Sequence, residues 1–240
     1  MKEIKRLQEE AEGYLGISLS DKNIAAFICY ANELVAWNRK MNLTAIVDPN
    51  DIRCKHFLDS LSCHLVMQNT PIQQVVDVGS GAGFPGLPLK LLYPEMNLTL
   101  VESVKKKTWF TAHMVEVLRM RGVEVITGRA EKVGQDPSHR ERYDWAISRA
   151  VAGLPTLVEY LLPLVKVGGR ALAQKGEGTE KEVADARQAI DILGGRLGRI
   201  VPVDLPGVDE TRNLVVIEKV APTPENYPRR VGVPAKRPLE

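Results

Sequence analysis

The chain has 240 residues, of which 44% are apolar and 26% charged, an ordinary composition for a soluble protein able to bury a sizeable core. Its net charge of +2 does not by itself demand a nucleic-acid partner. No apolar run approaches membrane-spanning length, and the charged start MKEIKRLQEE is unlike the apolar centre of a secretory signal, so a cytoplasmic protein with no membrane association is expected.

Residues 1–70 read as an N-terminal helical segment. Its second helical pattern places Ile24, Phe27, Ile28, Ala31, Leu34 and Val35 on one apolar face, and is expected to end near Trp37-Asn38. After the connection RKMNLTAIVDPN, helix resumes past Asp48-Pro49. There Cys54, Phe57, Leu58, Leu61 and Leu65 share one side, and His56, Asp59, Ser60 and Cys63 the other. A histidine, an acid and a hydroxyl side by side on one helix do not converge on a substrate atom as a catalytic triad must. The polar face is therefore expected to meet the next domain, substrate or solvent, and His56 is given no catalytic proton transfer. Cys29, Cys54 and Cys63 are odd in number and lack C-x-x-C spacing, which indicates reduced thiols and neither a disulfide nor a metal.

Residues 71–220 are organised around VVDVGSGAGFPG, from Val75 to Gly86. A valine-rich run enters a glycine-dense turn, and Pro85 and Pro88 mark the first turn of a helix that should begin no later than Pro88. Gly79, Gly81 and Gly83 let backbone approach a ligand closely, and free amides at the helix start favour a negative group. Gly81, Gly83 and Gly86 also fit the dinucleotide pattern, so the loop alone leaves NAD and S-adenosylmethionine both open.

Strand-like runs QVVDVG, LTLVES, VEVITG, YDWAIS and GRALAQ alternate with helical patterns, which implies a parallel sheet covered on both faces. RIVPVDL and NLVVIEK follow with no helix between them, so the sheet should close in an antiparallel pair. Glu102 ends the second strand nineteen residues after Gly83, where an acid reaches ribose hydroxyls. Asp77 just ahead of the glycines, Ala130-Glu131 after the third strand and the helix-free closure all favour the methyl donor. Lys105, Lys106 and Lys107 form one basic cluster; Arg229, Arg230, Lys236 and Arg237 form a second in the Pro- and Arg-rich tail, residues 221–240, which looks linker-like. Such clusters can neutralise phosphates or simply be solvated faces.

VVDVGSGAGFPGLPLK, together with Trp37-Asn38, NLT, His56-Phe57-Leu58-Asp59-Ser60, ISRAVA and RNLVVIEK, resembles the glucose-inhibited division protein B family, over nearly the whole chain and in family order. These are bacterial methyltransferases acting on N7 of a guanine in 16S ribosomal RNA. The resemblance implies an α/β fold: a Rossmann-like class I S-adenosylmethionine-dependent methyltransferase sheet with the helical segment in front. It also implies 16S ribosomal RNA or the small ribosomal subunit as partner, S-adenosylhomocysteine as product, and a monomer. Carried over by residue, Gly79 and Phe84 match cofactor contacts, Ala130 and Glu131 the adenine-side pair, and Arg149 a cofactor or active-site arginine; Gly81, Gly83 and Glu102 complete the expected cofactor set.

Every cysteine precedes the first strand, against a cysteine-nucleophile route to cytosine C5. The turn after the fourth strand reads Ser148-Arg149-Ala150-Val151, not the Asn-Pro-Pro-aromatic turn of amine methylation. Guanine N7 already carries a free lone pair, so in-line transfer without an obligatory general base is expected. Arg149 and Lys175 are candidates for positioning substrate. His56, Asp59, Ser60, Lys105, Lys106, Lys107, Lys175, Arg212, Arg229 and Arg230 are candidates for contacting RNA. An NAD-linked oxidoreductase, a non-catalytic RNA-binding module and a small-molecule methyltransferase are the rival readings.

Overall fold

The computed structural model describes residues 2–239. Three helices lead: α1 (Lys2–Lys5), α2 (Leu7–Leu15) and α3 (Asp21–Met41). Ser20 opens α3 with a reciprocal cap, its Oγ accepting from the Asn23 amide at 3.2 Å while Asn23 Oδ1 accepts from the Ser20 amide at 3.0 Å. The helix runs one turn beyond the expected end at Trp37-Asn38. Asn38 stays helical and turns the chain from within, its Oδ1 accepting from the amides of Leu43 and Thr44 at 2.5 and 2.9 Å, while Asn42 takes the left-handed cap at φ 51°.

Helix resumes at Pro49 as expected, capped by Asp48. It comprises α4 (Pro49–Asp51), a π-helical stretch Ile52–Leu58 and α5 (Asp59–Leu61), followed by α6 (His64–Met67). The two-faced reading of this segment needs correcting, because both faces are buried. Arg53, His56, Asp59 and Ser60 are as enclosed as Cys54, Phe57 and Leu58. The segment is wedged between the leading helices and the sheet, and its polar groups find partners there: Arg53 Nε donates to Glu10 at 2.7 Å, and Ser60 Oγ to the His56 carbonyl at 2.5 Å.

The remaining elements alternate: β1 (Gln74–Val78), α7 (Gly86–Leu92), β2 (Asn97–Glu102), α8 (Lys105–Val117), β3 (Val123–Thr127), α9 (Ala130–Gln135), β4 (Tyr143–Arg149), α10 (Leu154–Leu161), β5 (Val165–Lys175), α11 (Thr179–Asp185), α12 (Arg187–Ile192), β6 (Gly195–Val203), β7 (Arg212–Lys219) and α13 (Val233–Lys236). The strands form one sheet in the order β3-β2-β1-β4-β5-β7-β6. The first five are parallel, and β7 is antiparallel to both β5 and β6, the helix-free closure expected. Chain order reverses between β1 and β4, so ligands belong at their carboxyl ends.

Strand residues alternate between two cores. Val75, Leu98, Leu100, Trp145, Ile147 and Leu172 join Phe27, Tyr30 and Phe57 of the leading helices. Val76, Val78, Ala146, Ala171 and Val215 face α10 and α12 instead. The break at residue 70 thus separates helices from sheet along the chain, but not in packing.

The tail departs from its linker-like reading. Arg140 donates to the carbonyls of Tyr227 and Thr223, each at 2.7 Å, and Gln135 to that of Pro228 at 2.7 Å. Arg229 forks onto the fully buried Glu159, with a closest approach of 2.6 Å. Its charge is spent inside the protein, which corrects the expectation that it meets RNA; Arg230 remains exposed.

Candidate active site

At the end of β1 the chain turns through Gly79, Gly81 and Gly83, with φ of 72°, 58° and 94°. The three positions are demanding for different reasons. A Cβ on Gly79 would sit 2.3 Å from Val151 Cγ2, and one on Gly83 would sit 2.5 Å from Leu87 Cδ1 and 2.6 Å from Tyr30 Oη; Gly81 has open space around it. Two carboxylates tie the loop to the sheet. Glu102 Oε2 accepts from the Gly81 amide at 3.0 Å, and Asp77 Oδ2 from the Gly86 amide at 2.8 Å. Burial pushes the Asp77 carboxyl up to about 8, an effect the Gly86 amide only partly offsets.

A cleft of about 230 Å³ opens beside this loop, lined among others by Gly79, Glu102, Lys107, Ala130, Glu131 and Val151. Four of the expected cofactor residues therefore meet around one space. Gly81 and Gly83 shape the loop from behind. Glu102 and Glu131 are buried, at 7% and 5% exposure, each with acceptor capacity left over. Glu102 Oε1 accepts from the Val104 amide at 2.8 Å, and Glu131 Oε1 from the Gly232 amide of the tail at 2.8 Å. Glycines that permit close approach and two carboxylates, one ending β2 and one in the first turn of α9, fit an adenine nucleoside with free hydroxyl and amino groups.

Phe84 does not line this cleft. Its ring stacks on His56 at 4.3 Å and on Tyr30 at 5.2 Å, so it supports the site by packing. Tyr30 Oη donates to the Ala82 carbonyl at 2.6 Å and thereby holds the glycine loop from the N-terminal segment. Tyr30 was absent from the expected set. The available signal is its place on the apolar face between Phe27 and Leu34, where a phenol needs a buried partner.

Arg149 likewise lies outside the cleft, in a neighbouring cavity of about 600 Å³ that it lines with His56, Asp59, Gln174, Lys175 and Arg212. Ala150, held at φ 54°, lines both spaces, so they lie on either side of the same loop. Arg149 Nη1 donates to Asp59 Oδ2 at 2.6 Å and to the Lys55 carbonyl at 3.0 Å, and its guanidinium sits 5.2 Å over the Phe84 ring. Its Nη2 is 3.3 Å from His56 Nδ1, while His56 Nε2 is 3.1 Å from Thr44 Oγ1. A guanidinium offers only donors, so Nδ1 carries the lone pair and Nε2–H points to Thr44. Burial, reinforced by the Arg149 charge, lowers His56 to about 3, and the ring stays neutral.

Lys175 is held by Glu182 at 2.6 Å and by the Ala152 carbonyl at 2.8 Å, which pins the loop after β4. Arg212 stands at the rim, 3.5 Å from Asp59 Oδ1 and 2.9 Å from Glu210. Ser60 is fully buried and faces its own helix, which corrects its listing among RNA contacts. Lys105 is exposed and Lys106 partly so at the start of α8. No helix among the described residues is long and apolar enough to cross a membrane.

Comparison with known proteins agrees with this geometry. The GidB family model, described as rRNA small subunit methyltransferase G, matches residues 23–214. A "Ribosomal RNA small subunit methyltransferase G" from Roseiflexus castenholzii is 57% identical over 224 residues, covering 93% of this chain and 95% of that protein. One of the same description from Acetivibrio thermocellus is 45% identical, covering 98% and 96%. Among solved structures, a SAM dependent methyltransferase from Aquifex aeolicus superposes with a TM-score of 0.51 at 18% identity, covering 71% of this chain and 93% of that one. P. horikoshii TYW2 in complex with MeSAdo gives 0.50 at 11% identity, covering 84% and 64%. These two show a shared fold. The match across most of the chain to the family model, and to relatives of this identity, shows that the chain belongs to the GidB family of S-adenosylmethionine-dependent rRNA small subunit methyltransferases.

Proposed function

We propose that this enzyme moves a methyl group from S-adenosylmethionine to N7 of one guanine in 16S ribosomal RNA of the small subunit, by in-line transfer without an obligatory general base. The observation that carries this reading is that one residue, Ala150, lines both cavities: a carboxylate-lined cleft suited to a nucleoside neighbours a cation-rimmed pocket suited to a base. When bound, S-adenosylmethionine supplies a methyl group activated by its sulfonium, and leaves as S-adenosylhomocysteine.

The chain's own residues bind and orient. Glu102 and Glu131 accept from the ribose hydroxyls and the adenine amine, with Gly79 and Ala130 giving close backbone approach. Val151, packed over Gly79, limits water at the junction of the two cavities. Arg149 and Lys175 position the loop on which the acceptor base rests. N7 carries no proton, so none has to be removed, and a histidine held neutral inside the fold suits a site that performs no proton transfer. Methylated guanine is cationic, and takes on the positive charge that the sulfonium loses, so the transfer needs no separate counter-charge. N7 is inaccessible in the deep major groove of A-form RNA, so the target belongs in an open loop or distorted helix. Lys105, Lys106, Lys107, Arg212 and Arg230 supply backbone affinity. The enzyme is proposed to act as a monomer in the cytoplasm.

The test is transfer of labelled methyl from S-adenosylmethionine to small subunits, and to free 16S ribosomal RNA, from cells lacking this protein. Label recovered as 7-methylguanosine at one site is the expected result; label in any other nucleoside, or none despite donor binding, contradicts the reading.

A further inference from the structure

The pocket beside Arg149 holds two buried side-chain oxygens without a hydrogen-bond partner, Asp59 Oδ1 and Gln174 Oε1. Both residues line that cavity, at 3% and 6% exposure. Each is fixed through its other atom. Asp59 Oδ2 is taken by Arg149 at 2.6 Å, and Gln174 Nε2 donates to the Asp59 carbonyl at 2.7 Å, which turns the amide oxygen away from that bond. Arg212 Nε stands 3.5 Å from Asp59 Oδ1 and makes no hydrogen bond to it. A buried acceptor left without a partner is costly, so two on residues that line one pocket call for a ligand with donors. Among the described residues, the other two orphaned atoms, on Asp77 and Ser80, belong to the glycine loop and its strand, and neither residue lines this pocket.

The chemistry of the acceptor base supplies the match. An enzyme that methylates N7 must leave the N7 edge facing the donor, so it has to recognise guanine from the other side of the ring. That side offers N1–H and the 2-amino group, which are donors only; adenine presents an acceptor at N1 and no 2-amino group. We propose that Asp59 Oδ1 and Gln174 Oε1 accept from N1–H and the 2-amino group of the target guanine turned out into this pocket, and so set the base specificity of the enzyme. The inference rests on the guanine-N7 reading above and assigns its recognition step. Arg212, at the rim and 26% exposed, is the side chain that moves aside when the base enters.

The experiment uses 16S ribosomal RNA carrying either guanosine or inosine at the methylated position. Inosine keeps N7, O6 and N1–H and lacks only the 2-amino group. The kcat/KM for both substrates is measured for the wild type, Gln174→Ala and Asp59→Asn, alongside S-adenosylmethionine affinity and thermal unfolding. The wild type is expected to lose roughly tenfold or more on inosine, the scale of a lost buried hydrogen bond. In at least one variant the guanosine activity falls, donor affinity is kept, and the guanosine-to-inosine ratio collapses to within about threefold, because the group that read the 2-amino donor is gone. A merely structural role lowers both substrates together and leaves the ratio alone. The inference is overturned if the ratio survives in both variants, or if the wild type does not distinguish the two substrates. Absence of 7-methylguanosine from wild-type reactions on guanosine is a different failure: it removes the N7 reading and this inference with it.

Discussion

The loops after β1 and β4 lie side by side at the carboxyl ends of paired strands, yet they are held in opposite ways. The first is closed by backbone and by near neighbours: glycines in left-handed conformation, Asp77 on the Gly86 amide and Glu102 on the Gly81 amide. The second is held by side chains from afar. Arg149 reaches Asp59, ninety positions upstream, and Lys175 reaches Ala152 and Glu182. The difference teaches how one sheet builds two kinds of site: a cofactor cradle shaped mainly by its own glycines and steadied by Tyr30, and an acceptor pocket walled by the segment around Asp59.

The largest expected effect breaks the second loop. Arg149→Ala leaves the Asp59 carboxylate buried without its 2.6 Å partner, and a loss of about 3–5 kcal/mol in urea unfolding is expected. A loss below about 1 kcal/mol would show that the pair does not organise this loop. Next come paired changes in the first loop. Gly83→Ala meets Leu87 and Tyr30 at 2.5 and 2.6 Å and should cost about 2–4 kcal/mol with loss of donor binding. Gly81→Ala, at φ 58° with its nearest atom 3.9 Å away, should cost about 1–2 kcal/mol from backbone strain alone. Equal costs at the two positions would mean that space around the loop is unimportant.

The third prediction concerns acid stability. His56 stays neutral in the folded protein down to about 3, whereas the unfolded ring takes a proton below its ordinary value. The unfolded state therefore binds more protons in that window, and stability falls as pH drops through it. By pH 5 the loss is about 2 kcal/mol relative to pH 8 from this group, and His56→Gln should remove that portion of the slope, seen as converging unfolding midpoints. Parallel pH profiles for variant and wild type would contradict it. The smallest effect is at the surface. Changing Lys105 and Lys106 to Gln should lower the salt dependence of RNA binding by about 1–2 in log–log slope, with stability changed by less than about 0.5 kcal/mol.

The contrast between the loops also explains what could be read without a structure. That Gly79, Glu102 and Ala130-Glu131 meet around one cleft was legible, because strand ends and short spacings bring them together. His56 and Asp59 were visible as a polar helix face, but not as partners of Arg149, since no local pattern encodes a contact across ninety residues. The π-helical turn that encloses both faces of that helix carries no clear marker in IRCKHFL. Arg229 read as a free cation because its partner, Glu159, sits in an apolar helix where its burial is invisible to charge counting. Phe84, matched by resemblance to a cofactor contact, stacks between rings contributed by other helices.

The most direct test of the account is the pH dependence of the methyl-transfer step itself, measured by single turnover with both substrates saturating, from pH 5.5 to 7.5. This range lies below the raised Asp77 value of about 8 and above the lowered His56 value of about 3. With N7 attacking through its lone pair and no residue taking a proton, the rate should be flat. A tenfold rise per pH unit below the ordinary histidine range would reveal a general base at work and contradict transfer by positioning alone.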